Sequence, residues 1–262
     1  MTANDLYLQG KLDEAITAMN EEVRSKPADP DLRSFLADLL CIAGNFERAD
    51  LQLDAITKVL PQSVPTISLT RQLVRAEQWR QQCFAEGRVP EFVSEPSAAM
   101  RLHLKALVEM REGHLESAAE LLDIAESERP AVSGSRDGHA FDDFRDCDDS
   151  TAGFFEVLTS TGKYFWIPID QVTSISLRPI ERPRDLLWRR AGMQVTGGPD
   201  GEVFLPLIYG PAPTADAARL GRVTEWSEQA PVRGTGLRTF IVGDEPLTLV
   251  EMNEIDFNGD RS

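Results

Sequence analysis

The feature that most constrains this chain is a five-point pattern that occurs three times. Gly10-Lys-Leu-Asp-Glu-Ala15 returns as Gly44-Asn-Phe-Glu-Arg-Ala49 and as Gly113-His-Leu-Glu-Ser-Ala118. Each copy has an apolar residue two after the glycine (Leu12, Phe46, Leu115), then an acid (Asp13, Glu47, Glu116), then an alanine (Ala15, Ala49, Ala118). A proline follows 17 residues after each glycine, at Pro27, Pro61 and Pro130. Glycine lets the chain turn between two antiparallel helices. The small alanine lets those helices approach closely. Proline ends the second helix, because it lacks an N–H and restricts the residue before it.

Gly10 and Gly44 are 34 residues apart, and the unit resembles the tetratricopeptide helix-turn-helix, which has that period. Pro27, Pro61, Pro96 and Pro130 extend the punctuation to four units. Apolar spacing predicts helices over 3–8, 12–24, 46–60, 97–111 and 115–128, with another opening at Asp29-Pro-Asp31. The third unit lacks its turn glycine near position 78. One long helix over 66–84 is expected there, ending at Gly87, with the loop 86–96 replacing the second helix. Stacked helix pairs leave a concave groove that binds peptides or helices. In the tetratricopeptide frame the groove is lined by Tyr7, Asp38, Cys41, Ile42, His103, Leu107 and Met110. The alternative is that these are ordinary core or surface residues.

Beyond residue 132 the period changes from 3.6 to 2. A polar, glycine-rich and acidic joint over 133–150 comes first. It lacks the ligand pattern of a calcium loop. Phe141 and Phe144, three apart, predict one helical turn there. Strands are expected over 154–159 and 163–168 as a hairpin, and over 172–177, 186–194, 203–209, 221–226, 237–242 and 247–252. Turns are expected at 197–201 and 243–246. The fold class is therefore α+β, with an all-α tetratricopeptide-like repeat domain over 1–132 and a small antiparallel β-barrel-like domain over 133–262. Trp166, Trp188 and Trp226 are core anchors of that domain, or one of them is an interface hot spot. Arg184, Asp185 and Trp188, facing Asp146 and Asp149 of the joint, are the expected interdomain contacts.

A formal charge of −16 argues against a general nucleic-acid or anionic-membrane binder. No run of 18 apolar residues is present, and residues 1–6 do not open a signal peptide. Cys41, Cys83 and Cys147 form no C-x-x-C; Cys41 and Cys83 sit in helical patterns as small core residues, and a reducing cytoplasm is the expected compartment. His103, His114 and His139 form no zinc-protease pattern, and no serine elbow, Walker loop or Rossmann glycine run occurs. An acidic neighbourhood opposes activation of Cys147 by His139. No catalytic residue, metal or cofactor is expected, although a site built from paired carboxylates stays open at this charge.

Several longer motifs follow the repeats. They are Arg-Ala-Glu-Gln-Trp79-Arg, Val89-Pro-Glu-Phe92, Phe141-Asp-Asp-Phe-Arg-Asp-Cys-Asp-Asp149, Gly162-Lys-Tyr-Phe-Trp-Ile-Pro168, Arg184-Asp-Leu-Leu-Trp188, Val203-Phe-Leu-Pro-Leu-Ile-Tyr209 and Leu220-Gly-Arg-Val-Thr-Glu-Trp226. With the repeats they make a chain that resembles, over nearly its whole length, the ImpE family (also called TagJ or SciE-type) of bacterial type VI secretion accessory proteins. The resemblance implies a non-enzymatic cytoplasmic adaptor. Its implied partner is the N-terminal helix of the small sheath subunit TssB, and through it TssC and the ClpV ATPase that disassembles the sheath. No contact residue is carried over from the family. One rival is a generic peptide-binding co-chaperone, which would need a basic carboxylate clamp that Asn4, Asp38 and Leu107 do not supply. The other is an enzyme in the β domain, which would need convergent polar groups around a perturbed titrating residue.

Overall fold

The computed structural model describes residues 1–198 and 200–258; Pro199, in the turn expected over 197–201, lies outside them. Seven helices come first: α1 (Ala3–Leu8), α2 (Leu12–Ser25), α3 (Pro30–Ile42), α4 (Phe46–Val59), α5 (Val64–Glu86), α6 (Ala98–Glu112) and α7 (Leu115–Glu128). α1 packs on α2, α3 on α4 and α6 on α7. Ala15, Ala49 and Ala118 are fully buried, as the close approach of each pair demands. Side-chain caps start three helices: Thr2 with Asp5 on α1, Asp29 on α3 and Ser97 on α6. α5 ends at Gly87, whose positive φ of 79° closes the last turn.

The strands are β1 (Gly134–Arg136), β2 (His139–Phe141), β3 (Phe144–Asp146), β4 (Phe154–Thr159), β5 (Tyr164–Pro168), β6 (Val172–Leu177), β7 (Trp188–Val195), β8 (Gly201–Pro206), β9 (Thr224–Trp226), β10 (Gly234–Gly236), β11 (Thr239–Val242), β12 (Glu245–Thr248) and β13 (Glu254–Phe257). A short helix, α8 (Asp216–Arg219), precedes β9. Eight strands form one sheet in the order β2-β1-β13-β6-β7-β8-β4-β5, and β12-β11-β3 form another.

The barrel-like expectation is corrected here: the sheet is open. Its end strands β2 and β5 do not pair. The free edge of β5 is taken by the loop 86–96, where Glu91 N donates to Tyr164 O (2.9 Å) and Trp166 N donates to Glu91 O (3.1 Å). The segment that stands in for a missing helix thus covers a sheet edge, and an edge so covered cannot close on β2.

The helical turn expected at Phe141 and Phe144 is also overturned, since the two rings end β2 and begin β3. Asp143 turns the chain between them, accepting from Val132 N and pairing with Arg129. β13 was not anticipated; its alternation of exposed and buried residues is clear, but it lies in an acidic tail. The strand expected over 247–252 is β12 followed by a turn.

β4 shows how the halves meet. Its first five residues are all buried. Side chains alternate between faces of a strand. Phe154 and Leu158 therefore join clusters containing helical residues, while Phe155 and Val157 pack into the second-sheet side with Phe144 and Phe240. Glu156 lies on the helical face.

Candidate functional site

Glu156 is the centre of a buried ionic joint. It is the one charged residue of β4, and period 2 turns it toward α5. On α5 the buried stripe Leu73, Ala76, Glu77, Arg80, Cys83 and Phe84 carries two charges, Glu77 and Arg80. Arg80 reaches Glu156 with Nε to Oε1 (2.8 Å) and Nη2 to Oε2 (3.0 Å), and also donates to Ile208 O (2.9 Å). Its Nη1 donates to Glu77 Oε1 (3.1 Å). On the other side Arg238 lies 2.7 Å from Glu156 Oε2 and 2.6 Å from Asp146 Oδ2. Those two contacts are poorly angled, so they act as ion pairs more than as aligned hydrogen bonds.

Tyrosines and tryptophans satisfy the remaining oxygens. Tyr164 donates to Glu156, and Trp166 Nε1 donates to Tyr164 Oη (2.6 Å). Trp188 Nε1 donates to Glu77 Oε2 (3.0 Å). Tyr209 donates to Asp146 Oδ1 (2.6 Å) and accepts from Thr239 N (3.1 Å). Burial alone would raise the Glu156 carboxyl, but Arg80 and Arg238 overcome that and hold it at about 2. For Asp146 burial wins: the acid is pushed up to about 6 despite Arg238.

The predicted groove residues fall on both sides of the solvent boundary. Asp38, Cys41, Ile42, His103 and Leu107 are buried, and Tyr7 and Met110 are half-buried. The side chains of three of them make polar contacts with the C-terminal half of the same chain. Asp38 accepts from Arg184 Nη1 (3.0 Å), His103 Nδ1 lies 3.1 Å from Ser150 O, and Met110 Sδ lies 3.1 Å from Arg233 Nη1. Tyr7 packs edge-on against Phe35. Burial pushes Asp38 up to about 6 against the pull of Arg184, and burial holds His103 down at about 4.

The predicted interdomain residues are all engaged, but with other partners. Arg184 pairs with Asp38 on α3, not with the acidic joint. Asp185 accepts from the backbone N–H groups of Glu181 and Arg182 (both 2.9 Å). Asp149 holds Arg145 (3.2 Å) and Val232 N (2.7 Å). Trp166 and Trp188 are core residues, whereas Trp226 is 41% exposed.

The first repeat turn is clamped from the far end of the chain. Asp216 Oδ2 accepts from Leu12 N (2.9 Å) at the start of α2, and Arg222 Nη2 donates to Tyr7 O (2.8 Å) and Leu8 O (3.0 Å) at the end of α1. Each charge opposes the dipole of the terminus that it meets. A Cβ at Gly10 would stand 2.9 Å from Arg222 Nη1, so glycine here serves the clamp as well as the turn.

The sequence assigns no site role to Glu77, Arg80, Glu156, Tyr209 or Arg238, although Glu77, Arg80 and Tyr209 stand in the longer motifs. The usable signal was a charge on an apolar stripe: Glu77 and Arg80 on α5, and Glu156 inside Phe-Phe-Glu-Val-Leu. The thiols of Cys83 and Cys147 are pushed up to about 12, mainly by burial, and that of Cys41 is raised further. Thiols so raised are poor nucleophiles.

A model of the ImpE protein family matches residues 138–256. The type VI secretion system accessory component TagJ of Pseudomonas aeruginosa is 32% identical over 262 residues, spanning 98% of this chain and 91% of that relative. The crystal structure of a Vibrio parahaemolyticus protein superposes with a TM-score of 0.91 at 28% identity, covering 97% of both chains.

Proposed function

The chain belongs to the ImpE family of type VI secretion accessory proteins, and we propose that it is a non-enzymatic adaptor of the contractile sheath. In this reading it binds the N-terminal helix of the sheath subunit TssB in the cytoplasm and so links TssB and TssC to disassembly by ClpV. The observation that carries the reading is the similarity to TagJ along nearly the whole of both chains. Two halves joined through buried ion pairs suit an adaptor. The helical half, 1–132, offers a helix-binding surface, and the half 133–262 braces it through Glu156, Arg238 and Arg184. The ionisable groups at the junction are engaged in holding those halves together, which supports a structural and not a catalytic role for them. Of the seven groove residues, Tyr7 and Met110 retain the surface that a docked helix needs.

The test is titration of a synthetic TssB N-terminal helix, read by backbone amide shifts. Saturable shifts clustered on one face are expected. If no helix encoded in the same secretion cluster binds, the adaptor reading fails. Shifts confined to residues after 150 would remove the groove assignment and leave the adaptor role in place.

A further inference from the structure

A cleft of about 430 Å³ opens between α5, the segment Arg178–Asp185 and the start of β7. One wall is a helical stripe of α5: Thr66, Leu69, Thr70 and Leu73, at spacings of three and four. Trp188 and Phe204 close the bottom of the cleft from the sheet; with Leu73 they are almost fully buried, so Leu69 and Pro179 present its accessible apolar surface. The rim carries Arg178, Arg182 and Arg190, all exposed, with Arg184 buried below them.

Their partners differ. Arg184 is committed to Asp38, and Arg190 meets Glu202 in a pair open to solvent. Among the described residues, neither Arg178 nor Arg182 forms a side-chain ion pair. Two acids also line the cleft. Asp185 is held by the backbone N–H groups of Glu181 and Arg182, and Glu181 is exposed beside Arg182. In a chain with a formal charge of −16, the lining of this cleft carries four arginines against two acids. Exposed cations around an apolar floor complement a segment with acids on one side and large apolar residues on the other.

We propose that this cleft binds an acidic amphipathic segment of a protein partner, with its apolar side chains on Leu69 and Pro179, above the buried Leu73, Trp188 and Phe204, and its carboxylates at Arg178 and Arg182. The site goes beyond the adaptor reading, because it specifies a surface and a chemistry whichever protein supplies the segment. A TssB helix that maps elsewhere leaves it standing, and a failed acidic probe leaves the adaptor role standing.

The probe is a designed, fluorescein-labelled helix with leucine on one face and glutamate on the other. Its control carries lysine in place of glutamate. Anisotropy should show saturable binding of the acidic helix only, weakening as salt is raised because the arginines are exposed. Shifts should centre on Leu69, Leu73 and the Trp188 indole N–H. Arg178→Glu with Arg182→Glu should weaken binding about tenfold or more, and Arg178→Ala with Arg182→Ala less. Both pairs sit on exposed side chains, so circular dichroism should be unchanged. Four outcomes would overturn the proposal: no saturable binding, equal binding of the lysine helix, indifference to both double variants, or displacement by inorganic phosphate alone, which would mark a simple anion site.

Discussion

Two groups of arginines stand on opposite sides of Trp188, and only one of them holds the molecule together. Arg80 and Arg238 are almost fully buried, and the carboxylates around them, Glu77, Glu156 and Asp146, come from α5, β4 and β3. Arg178, Arg182 and Arg190 are exposed at the cleft rim. Trp188 belongs to both regions: its indole N–H is held by Glu77, and its ring lines the cleft. The residue type is the same, so burial makes the difference. A guanidinium taken out of water needs a carboxylate with good geometry, and losing that carboxylate leaves an uncompensated charge. A guanidinium in water needs nothing, and is free to meet a partner.

Removing the carboxylate shared by the buried group should have the largest effect. Glu156→Ala leaves Arg80 with Glu77 alone and Arg238 with Asp146 alone, and should cost about 3–5 kcal/mol in urea unfolding. A cost within that of a surface change would mean that water reaches the joint. The paired change Arg80→Met with Glu156→Met should recover only part of the loss, because it removes one buried ion pair but leaves Arg238 with Asp146 alone and Glu77 without its arginine.

Arg184 is intermediate, since it lies at the cleft floor but is buried on Asp38. Arg184→Ala should cost about 1–3 kcal/mol, less than Glu156→Ala because Asp38 can take up a proton. Arg184→Glu should also speed limited proteolysis between the halves. Unchanged cleavage would show that the remaining joint suffices.

The buried acids should respond to pH in two opposite ways, Asp38 and Asp146 in one and Glu156 in the other. An acid whose folded pKa is raised contributes stability below its unfolded value, and loses it as pH rises through the folded value. Asp38 and Asp146, ordinarily at 3.8 and held at about 6, should therefore add stability on acidification from about pH 6 to 4. Glu156, ordinarily at 4.5 and held at about 2, contributes above 4.5 and loses that contribution as pH falls through 2. Thermal melts of Asp38→Asn should show a smaller rise over the first window. An identical slope would remove Asp38 as a source of it.

The smallest effect belongs to the exposed rim. The Arg190–Glu202 side chains are 57% and 40% exposed, so Arg190→Ala should change stability by less than about 1 kcal/mol. A larger loss would place this arginine with the buried group.

The helices were legible because their signals are local. A glycine, an alanine and a proline at fixed offsets describe a turn, a contact and a stop within one unit. The hairpin of β4 and β5 was legible for the same reason, with alternation on both sides of a turn. Phe141 and Phe144 misled because a spacing of three fits a helical turn as well as two strands joined by a tight turn, and only the pairing of Phe141 with Gly134 and the hold of Arg129 and Val132 on Asp143 select the second. Arg184 was recognised as a contact, but its partner Asp38 lay outside any local window.

By itself, then, the sequence determined the helical units, the change to strands after residue 132 and, through its longer motifs, the family. Tertiary structure alone decided that the sheet stays open, that Asp38 meets Arg184 from 146 positions away and that Glu156 meets Arg80 from 76 away. The physical reason is range. Backbone periodicity is written into neighbouring residues, whereas desolvation and ion pairing depend on which distant side chains the finished core brings together.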